Sequence, residues 1–376
     1  MLALALIAAA STPQQGVVTI AAFDGRGIKE VAARGVSDPR TRRTATIDDP
    51  ARIASVSKLT VAMAVLALKL DLDRDVSEWL GWPLRHPDFP DTKITLRLLL
   101  SHQSSLTDAA DYAIPLGETV RERLTRPGAW DREHKPGSYF RYSNLNFPVI
   151  ASVIEAATGE RFDRLMTRVL FKPAGIDAGF NWQGASAAAI GRAVVLRTPD
   201  GAVIRDDLQG KAPPCPVVPD AQGGCDLSTY RPGENGALFS PQGGLRISAH
   251  ELATLGRLIA SPRQLTKLGI DARTLTAPLW RFDGANGDTE NGLYCAYGLA
   301  VQFLNEVRRP DCRDDLFGDG RKRFGHAGEA YGLRSGLWID PKTGKGRAFF
   351  TTGLGETQAP GRTAFTAAEE EMARER

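Results

Sequence analysis

Strand-like apolar patterning opens and closes this chain, and helical patterning fills its middle. Residues 17–22 (VVTIAA) and 29–35 flank Asp24-Gly25-Arg26-Gly27, a sequence that predicts a β-hairpin. A polar, Arg-rich loop over 37–49 follows. Residues 54–70 are then rich in Ala, Val, Leu and Met without Gly or Pro, which predicts a helix. Further helices are predicted over 95–100 and 147–157, the second ending at Gly159, where a C-cap belongs. A hairpin is expected to turn at Thr198-Pro199-Asp200-Gly201, and a long Pro/Gly-rich loop follows it. The strand period returns at 297–304, 323–326, 333–339 and 347–352, read as an antiparallel sheet, and a last helix is expected over 363–375.

This order predicts an α+β fold in which both chain ends build one antiparallel β-sheet flanked by helices. The expected division is residues 11–70 and 245–376 for the sheet region. An inserted, mostly helical region spans 71–244, with an irregular wall over 180–245. At 376 residues, with 42% hydrophobic and 24% charged residues, the chain can bury a substantial core. A net charge of +3, without a Lys/Arg block, gives no footprint for nucleic acid.

The first ten residues form an uncharged apolar run ending in Ala8-Ala9-Ala10. They read as the back of a secretory signal, too short to span a bilayer as a helix, and no other stretch does so. Four cysteines agree with export. Cys215 and Cys225 bracket one short segment, Cys295 and Cys312 another, and two local disulfides are the natural pairing, each worth about 3 kcal/mol; four free thiols are the alternative. No zinc spacing occurs among Cys and His, and no metal or cofactor is expected. A secreted or periplasmic monomer acting on a small molecule or peptide is the resulting expectation.

Three short segments could carry chemistry. In Ser55-Val56-Ser57-Lys58, a lysine one helical turn from a serine can take its proton, and a desolvated lysine is a better base. Alone, the tetrad fits a capped surface helix equally well. In Tyr142-Ser143-Asn144, a phenol near a lysine ammonium could be driven toward phenolate and act as a base, while the asparagine holds a substrate amide. In His326-Ala327-Gly328, small residues would let a substrate lie along a strand edge. The backbone N–H groups of Ser55 and Glu329 are candidate oxyanion donors. His86, His102, His134 and His250 are read as surface or packing residues. Lys342-Thr343-Gly344, in a Pro/Gly-rich context between apolar strands, reads as a hairpin turn.

In order, these segments resemble the serine β-lactamase-like family, which includes class C β-lactamases, D-alanyl-D-alanine carboxypeptidases and related esterases. Arg52-Ile53-Ala54-Ser55-Val56-Ser57-Lys58 is similar to its nucleophile segment and Leu70-Asp71-Leu72-Asp73 to its next turn. The run from Leu98 to Leu106 is similar to its LLTHTSGL stretch, with Ser105 where glycine is usual. Pro241-Gln242-Gly243-Gly244-Leu245 resembles a further segment. The resemblance implies Ser55 as nucleophile, Lys58 as activator, Tyr142 as acid/base, and Asn144, His326 and Gly328 on the substrate. Class C lactamases carry lysine where His326 stands, so a carboxypeptidase or esterase type is expected over a dedicated lactamase. A non-catalytic penicillin- or peptidoglycan-binding module is the alternative. No G-x-S-x-G elbow supports a Ser-His-Asp hydrolase.

Overall fold

The computed structural model describes residues 16–375, so the expected signal segment lies outside the described residues. The N-terminal hairpin forms as β1 (Val18–Phe23) and β2 (Ile28–Arg34), with the Asp24 carboxylate accepting from the N–H groups of Arg26 and Gly27 in the turn. A ribbon of β3 (Val36–Asp38) and β4 (Arg43–Thr44) follows. Next, β5 (Ala51–Arg52) pairs with β9 (Leu245–Ile247), which also takes β6 (Gly179–Phe180), giving a small three-stranded sheet. The expected second hairpin is β7 (Leu196–Arg197) and β8 (Val203–Arg205).

The main sheet is antiparallel and eight-stranded. Its remaining members are β10 (Trp280–Arg281), β11 (Ala296–Tyr297), β12 (Gln302–Leu304), β13 (Arg323–Ala330), β14 (Leu333–Ile339) and β15 (Gly346–Thr351). The order is β10-β11-β12-β13-β14-β15-β1-β2, so the first hairpin docks on the last strand and unites the chain ends. Side chains alternate between faces with the period of two that strands impose. Ala21, Phe23, Leu337 and Phe350 face the large core with helix Ala249–Ile259, whereas Ile20, Trp338 and Phe349 face Met372 and Ala373 of the terminal helix Ala367–Arg374.

The other helices pack into the large core. Nine of the eleven residues of Ser57–Ala67 are buried, as a helix apolar on all sides requires. Asn146–Thr158 packs beside it and ends at Gly159, whose φ of 70° gives the left-handed cap that glycine adopts without penalty. The Lys342-Thr343-Gly344 segment is the β14–β15 turn, with the Asp340 carboxylate accepting from the N–H groups of Lys342 and Thr343.

Three expectations needed correction. The single strand over 297–304 is two strands reversing at Gly298, whose N–H bonds the Val301 carbonyl at 2.8 Å; an apolar run does not disclose a turn that is itself buried. The strand expected to stop at His326 continues through Gly328 to Ala330, because Gly328 permits a close contact rather than a turn. The last helix starts at Ala367, after Thr366 and Glu369 form a capping box.

Candidate active site

Ser55 does not start the α-helix. It lies in a 3₁₀ turn, Ala54–Val56, that precedes Ser57–Ala67. Ala54 has a φ of 47°, a costly conformation for a residue with a Cβ, and the surroundings hold it there. Ser57 Oγ donates to the Ala54 carbonyl at 2.6 Å and accepts from Leu245 N–H at 3.1 Å. Ser335 Oγ on β14 donates to the Ile53 carbonyl at 2.7 Å. The second serine of the tetrad is therefore scaffold for the first.

Lys58 is fully buried. Its Nζ lies 2.8 Å from Ser55 Oγ, 2.7 Å from Asn144 Oδ1 and 2.8 Å from the Gln242 carbonyl. Two of these partners can only accept, while the serine hydroxyl can donate. A neutral amine thus satisfies all three by donating twice and accepting from Ser55. Burial lowers the amine's pKa to about 7, helped by the Arg52 charge and opposed by Asp108 and Glu290.

Tyr142 stacks between His102, at 4.3 Å, and Tyr294, at 4.8 Å, with Lys58 Nζ 5.0 Å from its ring centre. Its hydroxyl is buried and has no hydrogen-bond partner within normal distance. Burial pushes the phenol well above its ordinary pKa, only partly offset by the Ser55 and Tyr294 hydroxyls nearby. The direction is opposite to the phenolate expected from sequence: at neutral pH Tyr142 carries its proton.

Asn144 has both ends of its amide engaged. Oδ1 accepts from Lys58, and Nδ2 donates to Asp108 at 2.9 Å, which leaves one N–H for the cleft. Asp108 was not singled out in the sequence. Its carboxylate also accepts from Ser143 Oγ and from the N–H groups of Asn144 and Leu145, at 2.9–3.0 Å, so it fixes the whole Tyr142–Asn144 turn. His102 accepts from Ser143 N–H at 3.0 Å and stacks on Tyr142, a positioning role beyond simple packing.

His326 is placed differently from the expectation. It is fully buried; Tyr297 O–H donates to Nε2 at 2.7 Å, and Nδ1–H donates to the Ala327 carbonyl. Burial lowers its pKa to about 3, so the ring is neutral, and it lines neither cleft beside Ser55. Both ring nitrogens are engaged inside the sheet.

Gly328 lies against the nucleophile turn. A Cβ there would meet the Ile53 carbonyl oxygen at 2.4 Å, Ser335 Oγ at 2.5 Å and Ser55 N at 3.1 Å. β12 pairs with β13 only over Arg323–Gly325, which leaves the later part of that edge without a strand partner. Ala327 N–H points to this edge, reaching Gln302 Oε1 at 3.4 Å, and strand alternation sends Glu329 N–H to the same side.

Ser55 and Asn144 line two clefts. The smaller, about 310 Å³, also has Tyr142, Tyr294, Glu290, Gly328 and Glu329 on its walls. The larger, about 1210 Å³, is walled by Arg52, Trp182, residues 205–209 and 211–219, Gln242 and Tyr331. The four cysteines pair as Cys215–Cys225 and Cys295–Cys312, and the first pair ties down part of this wall. Asp131, Glu133 and His134 bring ligand atoms within 4.8 Å of one another, but none lines either cleft, and Asp131 bonds His134 at 2.9 Å. No helix among the described residues is long and apolar enough to cross a membrane.

Comparison with known proteins bears on the family and the fold. Esterase EstB of Burkholderia gladioli is 31% identical over 189 residues, covering 44% of this chain and 47% of that protein. A D-aminopeptidase of Brucella anthropi is 30% identical over 38% of this chain and 28% of its own. The chain thus spans less than half the length of these curated relatives. Among solved structures, a D-amino acid amidase from Ochrobactrum anthropi SV3 superposes with a TM-score of 0.66 at 17% identity, over 96% of this chain and 92% of that one. A class C β-lactamase from Rhodobacter sphaeroides does so with a TM-score of 0.66 at 15% identity, over 95% and 92%. Both likenesses establish the β-lactamase-like fold. The Beta-lactamase family matches over residues 5–370, nearly the whole length, and this chain belongs to that family.

Proposed function

We propose that this protein is a secreted or periplasmic serine hydrolase that forms an acyl-enzyme on Ser55 from an ester, amide or lactam. The observation that carries this is the buried Lys58 amine, 2.8 Å from Ser55 Oγ and with a pKa near 7. Neutral Lys58 takes the hydroxyl proton as Oγ bonds to the substrate carbonyl carbon, and the carbonyl electrons move onto oxygen. The N–H groups of Ser55 and Glu329 receive that oxyanion. Collapse expels the leaving group, which takes a proton from Tyr142; the Lys58 ammonium restores it. Water then attacks the acyl carbon and gives up a proton to Lys58; collapse of that adduct breaks the bond to Ser55 Oγ, which takes the proton back from Lys58 as the acid is released. The chain's similarity to an esterase and a D-aminopeptidase favours the esterase or peptidase type over a dedicated lactamase. Two disulfides support export.

The test is fluorophosphonate labelling together with turnover of a short-chain p-nitrophenyl ester, nitrocefin and a D-Ala-D-Ala peptide. Wild type labels and turns over at least one of them, and Ser55→Ala does neither. Hydrolysis retained by Ser55→Ala refutes the assignment. A single labelling burst without turnover identifies a binding module instead.

A further inference from the structure

The proposed chemistry leaves one charge beside Ser55 unused. Arg52, on β5 three residues before Ser55, is 7% exposed and lines the larger cleft. Its side chain forms no hydrogen bond or ion pair among the described residues, and its Nε is buried without a partner. Its neighbours explain how it is held. The Tyr331 ring lies 5.1 Å from the guanidinium carbon, and Arg246 is its partner across the β5–β9 pair. Asp206, the nearby carboxylate, already binds Arg246 at 3.0 Å and Trp182 Nε1 at 2.9 Å. Burial and the Arg246 charge together lower the Arg52 pKa to about 9.

A buried cation with no counter-ion is costly, and proteins keep such groups where a ligand supplies the missing charge. The rest of the cleft points the same way. Its carboxylates are matched: Asp206 to Arg246, Asp207 to Arg40 at 2.9 Å, and Glu329 to Arg334 at 2.6 Å. The Arg205 guanidinium carbon also lies over the Tyr331 ring, 4.5 Å from its centre, and Arg205 and Lys211 have no carboxylate partner among the described residues. The larger cleft therefore has surplus positive charge, whereas His326 is neutral and supplies none on the strand side.

The two clefts also divide the substrate. Tyr142, the proton donor to the leaving group, lines the smaller cleft and not the larger one. The leaving group thus departs through the smaller cleft, and the acyl portion occupies the larger. We infer, resting on the acyl-enzyme reading above, that the acyl portion of the substrate carries a carboxylate that enters the larger cleft and pairs with Arg52. The planar guanidinium suits a carboxylate, and Arg205 and Lys211 draw it toward the cleft.

The test uses two fluorophosphonates identical except for the end of the alkyl chain, one a free carboxylate and one its methyl ester. Their second-order rates of Ser55 labelling are compared over a series of chain lengths. In wild type the carboxylate reagent should label about 10- to 100-fold faster at its best length, the gain expected of one charge-assisted contact. The ratio should fall toward one in Arg52→Gln, survive in part in Arg52→Lys, and decline as salt is raised. A wild-type ratio of one or below at every length overturns the inference, as does a ratio that persists in Arg52→Gln. In either case, labelling by the methyl ester leaves the acyl-enzyme reading intact. Should neither reagent label Ser55, that reading fails and the inference falls with it. If Arg52→Gln does not fold, the wild-type ratio and its retention in Arg52→Lys decide the matter.

Discussion

Gly328→Ala is the sharpest probe of how the third segment serves Ser55. The added methyl would sit 2.4 Å from the Ile53 carbonyl oxygen and 2.5 Å from Ser335 Oγ, where ordinary contact begins at 3.4 Å. Neither neighbour can swing away, because one is backbone and the other is hydrogen-bonded to it at 2.7 Å. β13 must therefore retreat by about 1 Å from the nucleophile turn, or Ala54, already at a φ of 47°, must move. Overpacking of this kind costs about 1–3 kcal/mol of stability. The larger effect falls on catalysis, since the Glu329 N–H rides on the same strand. A 1 Å misplacement or the loss of one oxyanion donor lowers the rate by about 100-fold or more. The assay is kcat/KM for p-nitrophenyl butyrate, corrected for the fraction of Ser55 titrated by fluorophosphonate, with Tm measured in parallel. A folded variant within roughly threefold of wild type would refute the claim that this contact sets the oxyanion geometry.

Two further predictions follow from the electrostatics. In the proposed mechanism acylation needs neutral Lys58, so kcat/KM should rise with pH through about 7 and level off above it. Glu290 and Asp108 favour the ammonium and Arg52 opposes it, so Glu290→Gln should move this limb to lower pH and Arg52→Gln to higher pH; a limb unmoved by both excludes Lys58 as the titrating group. Asp108→Ala strands four donors of the Ser143–Leu145 segment, each costing about 1–3 kcal/mol if it stays buried. It should lower both Tm and kcat, the latter by about 100-fold, with Asp108→Asn between it and wild type; unchanged kcat in a folded Asp108→Ala excludes the positioning role.

The fold was legible where periodicity is local. The N-terminal hairpin, the Ser57–Ala67 helix and β14 all show it, because their apolar pattern reflects one buried face or complete burial. Pattern failed at β11–β12, where both strands and the turn between them are apolar and buried. The candidate site was legible in the groups proposed to react and not in their supports. Ser55, Lys58, Tyr142 and Asn144 have spacings and flanks that point to chemistry. Asp108 stands two residues beyond the matching Leu98–Leu106 stretch, and only the folded chain brings it to Asn144, 36 residues on. Tyr297 and Ser335 are ordinary strand residues until their partners, His326 and Ile53, are known. Ser105, standing where glycine is usual, has a φ of 65°, so the sequence did mark a backbone requirement there.

The acid and base roles proposed for Tyr142 and Lys58 come from one physical cause acting on two kinds of group. Desolvation disfavours whichever form is charged, so it lowers an amine's pKa and raises a phenol's. Burial beside Ser55 leaves Lys58 partly neutral and basic near pH 7 and keeps the proton on Tyr142. Sequence reasoning that placed a lysine ammonium beside the tyrosine reached the reverse assignment, because it counted the attraction between charges and not the cost of creating them. The same cost acts on His326, which is neutral. It acts also on Arg52, but a guanidinium with a pKa of about 9 still carries its charge at pH 7. Among these four buried groups around the nucleophile, then, Arg52 is the one that is predominantly cationic at pH 7, and a substrate anion would find its partner there.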